Sequence, residues 1–276
     1  MPTIRLVVRY DGTDYSGWQR QRGVPTVQET LEAAIASMAS EPVTVRGAGR
    51  TDAGVHALAQ VASFTVSRVI PVQGWLHGLN GKLPPSIAVT DARVAQDDFD
   101  PRRASGGKRY RYLLHAHPVR DPFLCDRAWH VHHPLDLDAL ETEARALVGT
   151  HDFRAFRAAD CERKTTVRTL FRVAVSRSWA GRPNLVAIEV EGTAFLKNMV
   201  RVLVGTLVDV ARERLPPGTV DARLRDGDRT QSGITAPPQG LYLDEVFLRP
   251  QYLLPEDVLR AAPELPDAQT DLDDEP

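Results

Sequence analysis

The sequence predicts an α/β (α+β) chain of two similar ferredoxin-like halves, each a mainly antiparallel, mixed sheet with helices packed on it. Three observations carry that expectation. The order β-α-β-β-α-β can be read twice along the chain. The strand pairs within each reading are of the antiparallel kind, which puts the helices on one face. The length of 276 residues allows one large or two modest domains, and 42% hydrophobic with 25% charged residues is an ordinary globular composition.

The first half, residues 1–103, opens with a strand over 4–10. A helix over 26–39 follows. Thr26 precedes it and Glu29 stands three residues on, a capping box, while Leu31, Ala34, Ile35 and Met38 share one face. Val43 and Val45 alternate with Thr44 and Arg46, the pattern of a short strand over 43–48. Gly47, Gly49 and Gly54 punctuate the next stretch, and an apolar, β-prone run over 57–66 forms another strand. Asp52 therefore sits on a loop between two strands. A helix over 71–82 and a strand over 87–95 complete the half, with a boundary near Arg102 to Gly107.

The second half, residues 104–250, reads as a strand over 108–116, a helix over 136–148, strands over 166–179 and 184–192, a helix over 194–213 and a strand over 240–248. In the long helix Leu196, Met199, Val200, Leu203, Leu207, Val210 and Ala211 follow helical spacing, and Val202, Val204 and Val208 widen the apolar surface. That surface serves the core or a subunit interface. Gly205 inside this helix costs about 1 kcal/mol relative to Ala, so a close neighbour is expected there. Residues 251–276 are rich in Pro and Asp and are predicted to be a disordered acidic tail.

Charge is unevenly spread. The net charge of −2 hides 33 bases against 28 acids in residues 1–250. Five bases and no acid lie between Arg102 and Arg111; seven bases and two acids lie between Arg154 and Arg177. Such clusters on a near-neutral body point to a polyanionic partner. Ile4 to Val8 is a short run broken by Arg5 and Arg9, not a signal peptide, and no apolar run approaches the ~20 residues of a membrane helix. Cys125 and Cys161 alone cannot make a disulfide framework or a Cys-x-x-Cys metal site, which fits a reducing cytoplasm, and each reads as a small buried filler.

Several chemistries lack their residues. The His/Cys-x-Glu with Pro-Cys-x-x-Cys pattern of metal deaminases is missing, as are phosphate-binding and dinucleotide-binding glycine motifs. His130-Val131-His132-His133 reads as a surface cluster rather than a metal site. Asp11 and Asp14 are the only partners on offer for a paired-carboxylate hydrolase using Asp52. An aspartate in an Asp-x-Gly turn is by itself an ordinary turn residue. The strand over 108–116 places Tyr110, Tyr112 and Leu114 on one face and Arg109 and Arg111 on the other, a platform for a core or for an unpaired base. Phe99 to Arg103, with Gly106 and Gly107, reads as a mobile connector over a site.

Seven blocks in order resemble the TruA-type tRNA pseudouridine synthases. They are Tyr10-Asp11-Gly12-Thr13 with Gly17-Trp18-Gln19; Thr26-Val27-Gln28; Gly49-Arg50-Thr51-Asp52-Ala53-Gly54-Val55-His56-Ala57; Phe99-Asp100-Pro101-Arg102 leading to Lys108-Arg109-Tyr110-Arg111-Tyr112; His151-Asp152-Phe153; Phe195 through Met199-Val200-Arg201 to Val204-Gly205; and Ala236-Pro237-Pro238 through Gly240-Leu241-Tyr242-Leu243. The resemblance implies the pseudouridine synthase fold and a cytoplasmic homodimer. It implies isomerisation of uridine at positions 38, 39 and 40 in the tRNA anticodon stem-loop, without cofactor or metal. It implies Asp52 as the catalytic carboxylate, by nucleophilic addition or a glycal route, both left open. Tyr110 would pack on the flipped uracil and is a candidate base for C5. Arg201 would pair with the aspartate, Arg50 would open the stack around the target, and Leu241 would form an apolar wall. Lys197-Asn198 departs from the usual pattern of relatives. Two rivals remain: a catalytically silent RNA-binding protein with duplicated ferredoxin-like halves, and a nucleoside or glycoside hydrolase.

Overall fold

The computed structural model describes residues 1–254 and Asp257. In chain order the elements are β1 (Thr3–Tyr10), α1 (Val27–Ala39), β2 (Arg46–Gly47), β3 (His56–Thr65), α2 (Val72–Lys82), β4 (Ile87–Ala95), α3 (Pro101–Ala104), β5 (Ser105–Ala116), β6 (Trp129–Val131), α4 (Leu137–Arg145), β7 (Gly149–Asp152), β8 (Val167–Ser176), β9 (Leu185–Gly192), α5 (Met199–Ala211), α6 (Thr219–Asp226) and β10 (Leu241–Leu248). This is the mixed α/β fold the sequence predicts. Two compact units divide it. One holds Met1–Gly107 and the described residues from Tyr242 on; the other holds Lys108–Leu241.

In the first unit β1 lies between β4 and β3, antiparallel to both, and β10 pairs in parallel with β3. Ile4, Leu6 and Val8 alternate inward along β1 and are almost fully buried, as the period of a strand requires. Thr26 caps α1 by accepting from Glu29 N, and Val27, Leu31 and Ile35 are buried beneath it. Phe64 of β3 meets Trp75 of α2 edge to face, with ring centroids 5.1 Å apart. The segment expected to be a mobile connector is instead a one-turn helix, α3. Asp100 accepts from Arg102 N and Arg103 N, Pro101 starts the turn, and Ala104 is fully buried.

In the second unit the sheet order is β5-β9-β8-β7, all antiparallel, with β6 parallel to β5. Every residue of α5 except Arg201 is buried, so within one chain this helix is core. Gly205 explains the close approach the sequence anticipates: an added Cβ would lie 1.8 Å from Ile234 O. The 233–236 segment crosses α5 there. Thr206 Oγ1 accepts from Gly233 N (3.0 Å), Asp209 Oδ2 from Ile234 N (3.2 Å) and Arg201 O from Ala236 N (3.0 Å).

Besides α3, three elements escape the sequence reading: β6, β7 and α6. The last is short and polar, with only Thr219 and Val220 buried. Its start is held by Glu143 of α4, which accepts from Gly218 N and Val220 N. Cys161 is buried as expected, but Cys125, in the β5–β6 connection, is exposed. The acidic tail lies outside the described residues apart from 251–254 and Asp257. Asp257 makes a bidentate pair with Arg5 of β1, at 2.6 and 2.9 Å. No described helix is long and apolar enough to cross a membrane.

Candidate active site

Arg50 and Asp52 share the loop between β2 and β3 in the first unit. The backbone of that loop is held at many points. Thr51 O accepts from Trp18 N (3.0 Å), and the Thr51 hydroxyl lies 2.8 Å from the buried Tyr10 hydroxyl. Burial pushes the Tyr10 phenol far above its ordinary range, so it stays a neutral hydrogen-bonding group. Asp52 O accepts from Val55 N (3.1 Å), closing a tight turn in which Gly54 takes a φ of +74°. Gly54 N in turn donates to Tyr15 O, and Gln60 Nε2 donates to Gly49 O at 2.7 Å.

Two glycines let a neighbouring loop press against this one. A Cβ at Gly12 would fall 2.0 Å from Val55 O; one at Gly17, where φ is +95°, would fall 2.5 Å from Thr51 O and 3.1 Å from the carbonyl carbon of Asp52. His56 is 2% exposed and lies four residues past the aspartate. Its Nδ1 is 3.0 Å from Gly12 N and 3.2 Å from Asp11 Oδ1, and its ring stacks on Tyr242 at 4.7 Å. Asp11 also accepts from Thr13, and is thus tied into its own turn. Asp52 itself is half-buried, while Arg50 is exposed and donates from Nε to Gln19 Oε1 at 3.2 Å. On α1, Gln28 and Glu32 fasten the approach to β2. Gln28 donates to Val45 O, and Glu32 accepts from Val45 N.

The other expected residues belong to the second unit. Tyr110 and Tyr112 lie on one face of β5, 8% and 0% exposed. The Tyr110 ring meets Phe195 edge to face at 4.9 Å, which fixes its plane. The Tyr112 hydroxyl donates to Pro237 O at 2.7 Å. Burial raises its pKa far above the phenol range, and the nearby Arg201 charge only partly opposes this. Arg201 stands in the first turn of α5. Its guanidinium donates to Ala236 O (2.7 Å) and to Asn198 Oδ1 (2.9 Å). Leu241, 6% exposed, follows the turn Pro238–Gly240, whose Gly240 packs on the Tyr112 ring. Tyr112, Arg201 and the chain leading to Leu241 are thereby bound into one assembly.

Sequence reasoning gave a role to Asp52 but none to the groups that hold it: Tyr10, Gly12, Gly17, Trp18, Thr51, His56 and Gln60. Their signal was present as clustered glycines and isolated polar residues at strand ends, yet no spacing rule links residues so far apart. Part of the clustered basic charge is paired within the fold. Arg109 faces Glu191 and Arg111 faces Glu189 across the β5–β9 register, with ion pairs of 2.8 and 2.9 Å. Arg172 of β8 bridges both acids at 2.9 and 3.3 Å, and Arg177 pairs with Asp138 and Glu141. Arg109 and Arg111 of the first cluster and Arg172 and Arg177 of the second are thus paired with acids of the same unit. Among the described residues no group of three or more His, Cys, Asp or Glu side chains could hold a metal ion.

Comparison with known proteins identifies the family. Residues 6–102 and 144–247 match the family model described as tRNA pseudouridine synthase. The tRNA pseudouridine synthase A of Syntrophotalea carbinolica is 47% identical over 253 residues, covering 91% of this chain and 98% of that protein. The protein of the same name from Myxococcus xanthus is 48% identical over 249 residues, covering 90% and 93%. A third, from Geotalea uraniireducens, is 46% identical over 247 residues, covering 90% and 100%. With both units matched and the likeness running nearly end to end, the chain belongs to the tRNA pseudouridine synthase A family of isomerases.

Proposed function

We propose that this protein converts uridine to pseudouridine at positions 38, 39 and 40 of the tRNA anticodon stem-loop, with Asp52 as the essential carboxylate. Membership of an isomerase family sets aside the silent RNA binder and the hydrolase, and the relatives' shared name supports tRNA as substrate. The observation that carries the role of Asp52 is its loop. A turn aspartate needs only its own local hydrogen bonds. Here the backbone beside the residue is held by Trp18 and Tyr15 and pressed by Gly17, the Thr51 side chain is held by Tyr10, and Asp52 stays half-buried. Fixing of that kind suits a group whose position sets the rate.

In the reaction the N1–C1′ bond of uridine breaks, the uracil turns, and a C5–C1′ bond forms. C5 loses its proton and N1 gains one, so the product is an isomer of the substrate. Asp52 acts as nucleophile or opens the glycal route. Tyr110 packs on the uracil and is the candidate acceptor of the C5 proton. Arg201 serves the aspartate as its cation, which would favour the ionised carboxylate; its own fixing by Ala236 and Asn198 supports that role. Arg50 helps open the stack, at a cost of a few kcal/mol that contacts to RNA phosphates offset. Leu241 forms an apolar wall for the base. As the resemblance implies, the protein works in the cytoplasm as a homodimer with no resident cofactor.

Carbodiimide mapping of an anticodon stem-loop treated with the protein tests the reading. Wild type is expected to convert uridines 38 to 40. Asp52→Ala is expected to bind tRNA without converting any. Unmodified uridines with wild type remove the proposed reaction; turnover by Asp52→Ala removes the role of the aspartate.

A further inference from the structure

A second concave site lies in the second unit, away from the residues above. Where β5 runs into the connection to β6, a cavity of about 450 Å³ is lined by His115, His117, Arg120, Leu124, Arg182 and Leu185, among others. Period-two alternation puts His115 on the face of β5 opposite Tyr110. His115 is 7% exposed, and its Nδ1 has no hydrogen-bond partner among the described residues. The rings of His117 and His130 flank it at 5.7 and 5.4 Å. Burial and the neighbouring His130 hold its pKa below the ordinary imidazole range, so this wall of the cavity is neutral.

The rim has its own chemistry. Arg120 is exposed, and Arg182 pairs with Asp121 at 2.6 Å, leaving the two arginines with one positive charge in excess of the carboxylate. Phe123 sits between the lining residues Pro122 and Leu124 and is 89% exposed; Val119 is 66% exposed. An exposed aromatic beside a concave basic rim is what an unstacked nucleotide requires: the base stacks on the ring and the phosphate pairs with arginine. A second copy of the chain fits less well, because a two-fold contact through this patch would set its excess positive charge against itself.

We propose that this cavity and the exposed Phe123 ring beside it hold one unstacked nucleotide of the RNA substrate, from outside the anticodon stem-loop, with its base on Phe123 and its phosphate on Arg120. The proposal rests on the pseudouridine synthase reading for the identity of the RNA. It commits to a nucleotide beyond the stem-loop because the cavity lies on the other face of β5, about 17 Å along the strand from Tyr110.

Filter binding and steady-state kinetics on Phe123→Ala and Arg120→Ala test it, using a full-length tRNA transcript and an isolated anticodon stem-loop. Both side chains are exposed, and unchanged melting curves would confirm folding. Phe123→Ala is expected to raise Kd and KM for full-length tRNA about tenfold, the scale of one lost base–aromatic stack. Arg120→Ala is expected to lower the slope of log affinity against log salt by about one, as for one lost phosphate contact. Neither variant should change kcat, nor affinity for the stem-loop. Wild-type affinity of both variants for full-length tRNA overturns the proposal, as does an equal loss on the stem-loop. Loss of self-association by Phe123→Ala with RNA affinity unchanged assigns the patch to a second copy. Weaker binding of uridine monophosphate by Phe123→Ala, with tRNA unaffected, assigns it to free nucleotides. Either result also overturns the proposal. Failure of the enzyme reading would show separately, as absent pseudouridine in wild type whatever the binding data.

Discussion

Gly17 is the most direct handle on the position of Asp52 that leaves every reacting group in place. In Gly17→Ala the new Cβ would meet Thr51 O at 2.5 Å, against 3.4 Å for an ordinary contact. One backbone must give by about 0.9 Å, and the obstacle is the chain immediately before the aspartate, not a flexible side chain. Errors near 1 Å at a reacting group cost roughly a hundredfold in rate. The left-handed φ of +95° adds about 1–2 kcal/mol of strain for any residue with a Cβ. Strain alone is isolated by Gly23→Ala, since Gly23 has a comparable φ of +79° and no atom within 4 Å of the added Cβ. Single-turnover pseudouridine formation, with melting curves and tRNA affinity alongside, reads both variants. Gly17→Ala should lose about 10- to 100-fold in the chemical step with affinity little changed. Gly23→Ala should lose stability of about 1 kcal/mol and no rate. Wild-type rates from Gly17→Ala would refute the idea that the 12–18 segment sets the aspartate.

Two further variants read the framework. In Gly205→Ala the gain of about 1 kcal/mol in helix propensity is outweighed by contact with Ile234 O at 1.8 Å. A net loss of about 3 kcal/mol is expected by chemical denaturation, and equal or greater stability would contradict the packing of 233–236 on α5. Asp257 is partly buried, which alone would raise its pKa, but the hydrogen bonds and charge of Arg5 outweigh this and hold it below the carboxylate range. A depressed carboxylate contributes stability above its unfolded value, near pH 4, and loses it as pH falls through the folded value. Asp257→Asn should therefore melt below wild type at pH 7, with the gap closing below about pH 4. A gap independent of pH would exclude the ion pair as its source.

Where local pattern and tertiary need coincide, the sequence is legible. Thr26 caps α1, the alternation along β5 survives as a buried and a charged face, and Gly205 marks a crossing chain. The failures are non-local. α6 is stabilised by Glu143, a carboxylate 75 residues before Gly218, so nothing in its own polar sequence announces it. β6 and β7 are three and four residues long and exist through their partners β5 and β8. At the candidate site the residues proposed to react, Asp52, Tyr110 and Arg201, could be named because they stand in distinctive blocks. The supports could not. Tyr10 reaches Thr51 across 41 positions, and the open nitrogen of His115 leaves no trace in a sequence.

The basic clusters show what a count of charges leaves out. Glu189 and Glu191 lie in an otherwise apolar strand and read as interruptions of it, yet they are 9% and 3% exposed and each faces arginines. A guanidinium held by a buried carboxylate has already exchanged its counterion for a protein partner, so RNA binding gains little from it. Arg172 is the test. It is half-exposed and bridges both acids, and each acid keeps a second arginine when it is removed. Arg172→Ala is therefore expected to cost about 1 kcal/mol of stability, without the larger penalty of a buried charge stripped of every partner. It should leave the salt dependence of tRNA binding within a few tenths of the wild-type slope, whereas a phosphate-binding arginine would change it by about one. A full unit lost with Arg172→Ala would mean that the ladder opens to meet RNA, and that the neutralisation across β5, β9 and β8 does not persist in the complex.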